Sequence, residues 1–280
     1  MSVRDRIDSH AEGFTDSEKK LCAVLLADYP FAGLQPISAL SENACVSAPS
    51  ISRFVSKIGF QGFQDFQRHL IAELKEGQRS PVDLRHTRRP AEGDFLADFI
   101  GRAREELAET ASIITEAQFK HICALLADPK RRIFVIGGRI SEALAQYLLL
   151  HLRQIRPDVF AVPSDPEAWP NDLLRMRARD VLLVFDFRRY QTSLATLAQR
   201  AAARRGVHVV LMTDKWVSPI ARSARDVVAL PIEIGTEWDS YVGAFTLIEA
   251  ILAFISDDQW DRSSVRLREW DALRAEEAEA

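Results

Sequence analysis

The sequence predicts an α + α/β chain, in which a purely helical N-terminal unit precedes a helix-covered, five-stranded parallel sheet. Three observations carry this. Apolar residues recur at helical spacing up to about residue 76. Residues 77–93, GQRSPVDLRHTRRPAEG, lose that periodicity and gather prolines, glycines and arginines. Beyond residue 130, short β-rich apolar runs alternate with amphipathic helical stretches. The expected division is a helical domain over 1–76, an exposed linker over 77–93 and an α/β domain over 94–280.

The first helix is expected to start at the capping box Thr15-Asp16-Ser17-Glu18, to carry Leu21, Val24 and Leu25 on one side, and to end before Pro30. A short second helix begins near Pro36 with Ile37, Leu40 and Ala44. The third is the most informative: Ser47 is a good N-cap, Pro49 suits the first turn, Ile51, Phe54, Val55 and Ile58 fall at i, i+3, i+4, i+7, and Gly59 closes it. A fourth helix, about 63–75, presents Phe66, Leu70, Ile71 and Leu74.

Past the linker, a long helix is expected over about 94–116, with Leu96, Phe99, Ala103, Leu107 and Ile114 as its apolar positions, and a shorter one over 118–127. Strands follow at 133–136, 159–162, 181–185, 207–212 and 227–230, with the clearest helices at 141–153 and 191–205 and two more at about 238–256 and 261–276. Strand-helix alternation of this kind packs helices on both faces of a parallel sheet.

Composition sets further limits. The 280 residues hold 47% hydrophobic residues and a formal charge of −4, which excludes disordered and collagen-like chains. Cys22, Cys45 and Cys123 are odd in number and far apart, so no disulfide framework or zinc cluster is expected. The N-terminus MSVRDRIDSHAEG has no apolar signal core, and the runs 143–152 and 242–255 are too short to span a bilayer. A cytoplasmic protein with no membrane partner, no cofactor and no metal is expected. His121, His151 and His208 have no ligand-like spacing and read as satisfied structural residues.

On the third helix, the face opposite the apolar residues is Pro49, Ser50, Ser52, Arg53, Ser56 and Lys57, and the window from Asn43 to Gln64 holds no acidic residue. Hydroxyls and helix N-terminal N–H groups hold phosphates, and Arg or Lys reach phosphates or guanine edges, as a helix-turn-helix reader requires. A solvated face of a protein-interaction module fits the same spacing. Residues 1–77 carry 8 Lys+Arg and 9 Asp+Glu, so any DNA binding rests on a few well-placed contacts and on pairing of two copies rather than on a basic coat.

The run ISALSENACVSAPSISRFVSKIGFQGFQDFQRHL resembles the N-terminal domain of the MurR/RpiR family of bacterial transcription regulators, whose helix-turn-helix precedes a Gly-Phe-x-Gly-Phe element, here Gly59-Phe60-Gln61-Gly62-Phe63. The resemblance covers about residues 15–74. It implies binding to double-stranded DNA at a palindromic operator, through Ser47, Ser50, Ser52, Arg53, Ser56 and Lys57.

In an open parallel sheet, ligands sit beyond the carboxyl ends of the strands, where loops enter helix N-termini. Three loops qualify: Gly137-Gly138-Arg139-Ile140-Ser141, with Ser141 as N-cap; Asp186-Phe187-Arg188-Arg189-Tyr190-Gln191-Thr192; and Thr213 to Pro219. Residues of about 131–230 resemble the sugar isomerase (SIS) domain, which in this regulator family senses phosphosugars. The strand-end loops and this resemblance together give an expected effector site made of Gly138, Arg139, Ser141, Asp186, Arg188, Arg189, Thr192, Thr213 and Ser218. The site departs from the family's Ser-x-Ser-Gly-x-Thr phosphate cradle, of which Thr192 alone is retained. Asp186 would repel a phosphate, while Arg188 and Arg189 could clamp a phosphate or carboxylate, so the ligand is expected to be a small anion, phosphosugar or sugar acid. An ion pair with Asp186 or a dimer contact fits the two arginines as well.

The reading that results is a non-enzymatic, metabolite-responsive DNA-binding regulator, forming a dimer or tetramer. Two alternatives use the same fold. One is an aldose-ketose phosphosugar isomerase, for which Glu142, Glu167, His208, Glu237 and Glu249 are available in no recognised constellation; the other is a SIS-like domain that only dimerises.

Overall fold

The computed structural model of the chain describes residues 3–91 and 93–278. The helical domain contains α1 (Val3–Ser9), α2 (Asp16–Ala27), α3 (Ile37–Ala44), α4 (Ala48–Lys57) and α5 (Phe63–Glu76). Thr15 and Glu18 form the expected capping box at the start of α2. Cys45 turns the chain from α3 into α4 in a left-handed conformation, φ 51°, and Ser47 caps α4. Leu21, Leu25, Leu40, Ile51, Phe54, Val55, Phe66 and Leu70 make one core.

Sequence periodicity missed α1, because seven residues are too few to establish it. Its Val3 and Ile7, one turn apart, nonetheless complete this core. Its first described amide donates to the Glu73 carboxylate (2.6 Å), which also accepts from the Tyr29 hydroxyl.

Between the domains lies α6 (Pro81–Arg85), a correction to the structureless linker expected from composition. Ser80 and Asp83 form a reciprocal capping box around Pro81, and Leu84 is buried. Five residues are too short for hydrophobic periodicity to emerge, so the signal lies in the cap alone. Residue 89 is also held: the Arg89 amide donates to the Gly235 carbonyl (2.8 Å).

The C-terminal domain contains α7 (Phe95–Ile113), α8 (Glu116–Ala127), β1 (Ile133–Gly137), α9 (Glu142–Ile155), β2 (Val159–Ala161), α10 (Trp169–Arg175), β3 (Val181–Phe185), α11 (Thr192–Arg205), β4 (His208–Asp214), β5 (Asp226–Leu230), α12 (Val242–Asp258) and α13 (Trp260–Ala278). The five strands are parallel, in the order β2-β1-β3-β4-β5. Strand side chains alternate faces. Val135, Leu183, Phe185, Val210 and Met212 pack under α8, α9 and α12, and Phe134, Ile136, Leu182, Val184, Val209 and Leu211 pack under α10 and α11. No described helix is long and apolar enough to cross a membrane.

The long helix α7 corrects a second expectation. Phe95, Leu96 and Ile100 lie outside, and the stripe it buries is polar: Arg102, Glu106 and Thr110, spaced by four. Arg102 pairs with Asp98 (2.5 Å) and donates to the carbonyls of Arg89 (2.9 Å) and Pro90 (2.7 Å), fastening the linker; Glu106 accepts from the Gly243 amide (3.0 Å) on α12. Of the five expected apolar positions only Leu96 is exposed; Phe99, Ala103, Leu107 and Ile114 are half-buried, so the fully buried stripe is the polar one that apolar spacing does not reveal.

Gly137 ends β1 where α9 begins. A Cβ there would lie 2.5 Å from the Glu142 Cα, Glu142 N and Ser141 O atoms, and backbone cannot step aside. Gly137→Ala is expected to destabilise the C-terminal domain by about 2 kcal/mol or more, read as a lower urea midpoint at unchanged slope.

Candidate functional site

Two places concentrate chemistry. The first is the outer face of α4. Ile51, Phe54, Val55 and Ile58 are buried, so Ser47, Ser52, Arg53, Ser56 and Lys57 are turned outwards, with Ser50 half-buried. Ser47 Oγ lies 2.9 Å from Ser50 Oγ, which accepts from Arg53 Nη2 at 3.3 Å. A guanidinium is thus seated beside a capped helix N-terminus, an arrangement that offers N–H and hydroxyl donors to an anion. Two residues are less free than the helical wheel implies. Ser56 Oγ donates back to the Ser52 carbonyl (3.1 Å), and Lys57 Nζ is held by the Gly13 carbonyl (2.7 Å) and Glu18 Oε2 (2.9 Å). Nothing in local spacing shows that α2 brings Glu18 to Lys57.

The second place is a cleft of about 170 Å³ at the carboxyl ends of the strands. Gly138, Arg139, Ser141, Asp186, Arg188 and Arg189 line it, as expected from the loops. Gln191, Glu237, Trp238, Asp239 and Tyr241 join them, and so do Arg79, Pro81 and Leu84 from the connection between the domains. Apart from Glu237, named only as an isomerase candidate, sequence reading missed these: Gln191 was passed over for its neighbour, and 238–241 follow no strand directly. Thr192, Thr213 and Ser218 are not in the lining. Thr192 opens α11 on the exposed side, while Thr213 and Ser218 are buried beneath the cleft.

The buried groups explain the loop shapes. Ser141 does not cap its helix; its hydroxyl is placed to donate to the Phe185 carbonyl (2.8 Å) and the Gly138 carbonyl (3.1 Å), binding the two loops together. Asp186 accepts from Ser218 Oγ (2.5 Å) and the Gln191 amide (3.3 Å). Asp214 accepts from the Arg188 amide (2.6 Å), the Trp216 amide (3.0 Å) and the Tyr190 hydroxyl (2.6 Å). The expected pairing of the arginines with Asp186 does not occur. Arg188 is instead buried over the Trp216 ring, pairs with Glu233 (3.0 Å) and lies 3.3 Å from Asp239, leaving Nη1 with no hydrogen-bond partner. Arg189 adopts φ 65°, and its amide donates to the Gly77 carbonyl (2.8 Å) at the end of α5.

The isomerase candidates are not gathered here. Glu142 accepts from the Gly137 amide (2.8 Å), Glu249 from Tyr147 (2.9 Å), Glu167 is exposed, and His208 pairs with Asp226 at the far end of the sheet. Glu237 alone of the five lines the cleft, and it is paired with Arg85 (3.0 Å).

Burial pushes Asp186 up to about 7 against the hydrogen bonds from Ser218 and Gln191, and burial pushes Asp214 up to about 6. Both lie above an unfolded carboxyl, near 3.9. The folded state therefore retains protons that the unfolded chain has lost, and the stabilisation present below about pH 4 fades as pH rises through about 6–7. Asp186→Asn is expected to flatten the fall in melting temperature between pH 5 and 8 and to raise it by a few degrees at pH 8; calorimetry across that range checks this.

Residues 1–77 match the family model of the helix-turn-helix domain of the rpiR family, and residues 125–254 match that of the SIS domain. The chain is 24% identical over 252 residues to the HTH-type transcriptional regulator HexR of Escherichia coli, covering 86% of this chain and 81% of that protein. The sugar isomerase domain of an RpiR transcription factor from Sphaerobacter thermophilus superposes with a TM-score of 0.59 at 22% identity, covering 64% of this chain and 99% of that one. The Vibrio vulnificus NanR protein complexed with ManNAc-6P superposes with a TM-score of 0.55 at 18% identity over 96% of each chain. With the two domains matched in this order, the chain belongs to the RpiR family of helix-turn-helix transcriptional regulators.

Proposed function

We propose that the protein binds operator DNA through α4 and senses a small anionic metabolite, a phosphosugar or a sugar acid, in the cleft beyond the strand ends. The observation that carries this reading is Arg188: a guanidinium buried in the cleft lining with Nη1 unpartnered has a donor to give to an anion. Arg139 and Arg189 stand on the same rim. ManNAc-6P bound to NanR makes a phosphosugar the first class to try. Asp186, Glu237 and Asp239 on the lining suit hydroxyls better than a second anionic group, which favours a sugar carrying a single charged end.

The same cleft supports a route from ligand to DNA. Arg79, Pro81 and Leu84 belong to its wall, and the adjoining Arg189 amide holds Gly77, the residue after α5. A second contact between the domains, Arg222 against Asp28 and over the Phe31 ring (4.1 Å), fixes the helical domain on its other side. A ligand that displaces the Arg188-Arg189 loop would bind one domain arrangement better than another and shift their balance. Two copies, paired through the exposed apolar residues of α7 and α13, would then present two α4 helices to a palindromic operator. The dispersal of the isomerase candidates favours this reading over an enzyme.

Gel shifts on the protein's own promoter region, with and without ligands ranked by thermal shift, test the proposal. Salt-sensitive, sequence-preferring binding is expected, together with stabilisation by at least one phosphosugar or sugar acid that Arg188→Met abolishes. Binding with neither salt nor sequence dependence, or no stabilisation by any such anion, overturns it. Arg53→Ala is expected to weaken operator binding by about 1–3 kcal/mol without lowering the melting temperature. Lys57→Ala, which breaks the tie to Glu18 and Gly13, is expected to lower the melting temperature of the helical domain slightly.

A further inference from the structure

The end of the sheet opposite the cleft carries a cluster that the regulator reading leaves unused. His208 opens β4 and Asp226 opens β5. The register pairs Val210 with Asp226, so His208, two residues before Val210, points to the same face as the carboxylate. That face is covered by α8, whose Ile122, Leu125 and Leu126 enter the core and whose Gln118 donates to the Val227 carbonyl (3.0 Å). Docked this way, α8 brings His121 alongside: its Nε2 lies 3.2 Å from Asp226 Oδ1, and His208 Nε2 lies 2.5 Å from Oδ2. One donor atom from each of the three falls within 4.8 Å of the others.

We propose that His121, His208 and Asp226 bind a divalent transition-metal ion of the zinc, cobalt or nickel class. Two imidazoles and one carboxylate form a mixed N/O donor set, which suits these ions and is poorly matched to magnesium or calcium. An ion held by all three would draw the ring nitrogens inward to about 2.0–2.1 Å from the metal. His121 is on the exposed flank of α8 and has room to make that rotation, while His208 is largely buried and fixes the geometry. Three protein ligands leave at least one coordination position for water or for a donor from another molecule. Because the ligands come from α8, β4 and β5, the ion would cross-link the helix to the edge strand, so binding is read as stability as well as uptake.

The competing arrangement is an ion pair, with the carboxylate shared by two imidazoles and no affinity for metal. Untagged full-length protein, stripped with a chelator and dialysed against Zn²⁺ or Co²⁺, separates the two. Saturable uptake of one ion per chain is expected, with a raised melting temperature, a visible Co²⁺ absorption band, and no stabilisation by Mg²⁺. His121→Ala, at an exposed position where loss of folding is not expected, should weaken uptake by about tenfold or more. Asp226→Asn, checked for native circular dichroism, should do the same. No saturable uptake, or uptake equal in wild type and His121→Ala, overturns the proposal.

Discussion

Two carboxylates buried at neighbouring strand ends set the shape of everything above the sheet. Parallel strands β3 and β4 finish side by side, so Asp186 and Asp214 come off adjacent strand ends with their side chains buried. Each is costly there unless hydrogen-bonded, and the surrounding loop donors, amides and hydroxyls, satisfy them. Asp214 collects the amides of Arg188 and Trp216 and the hydroxyl of Tyr190, which forces residues 188–190 into one path. That path buries the Arg188 side chain, twists Arg189 into a left-handed conformation and presents its amide to Gly77. The cleft, its unpartnered guanidinium donor and the contact to the helical domain are three results of one polar arrangement.

A second polar arrangement explains why the connection between the domains is ordered. Arg102, Glu106 and Thr110 occupy the side of α7 that apolar residues would normally hold. Arg102 collects carbonyls from residues 89 and 90, while Glu106 approaches α12 where Gly243 leaves room. Burial pushes Glu106 upward, as expected for a carboxyl satisfied only in part. The outer apolar residues of α7 are thereby left for another surface to cover, in line with the pairing of two copies proposed above.

The fold was largely legible in the sequence because its signals are local or periodic. Strand runs such as Val181–Phe185, the caps at Thr15 and Ser47 and the four-residue apolar stripe of α4 each follow from short stretches of chain. The loops of the cleft were legible for the same reason, since a strand followed by a helix states where the loop lies. Partners were not. That Lys57 meets Glu18, that Arg188 chooses Glu233 and Asp239 over Asp186, and that His121 meets His208 all depend on how distant elements dock. Short helices escaped too: α1 and α6 carry too few residues to declare a period, and the stripe that α7 buries is polar and so carries no apolar signal.

The Ser80 capping box turns part of the connection into one and a half turns of helix, and this changes how the chain can vary in length. A flexible tether absorbs an inserted residue with little effect. In α6 each added residue advances the following chain by about 1.5 Å and rotates it by about 100°. Leu84 would leave its place beside the cleft, and Arg79 would lose the Thr87 hydroxyl (2.5 Å) it reaches across the turn. Residues 80–85 are accordingly a stretch where changes of side chain are easier to accommodate than changes of length.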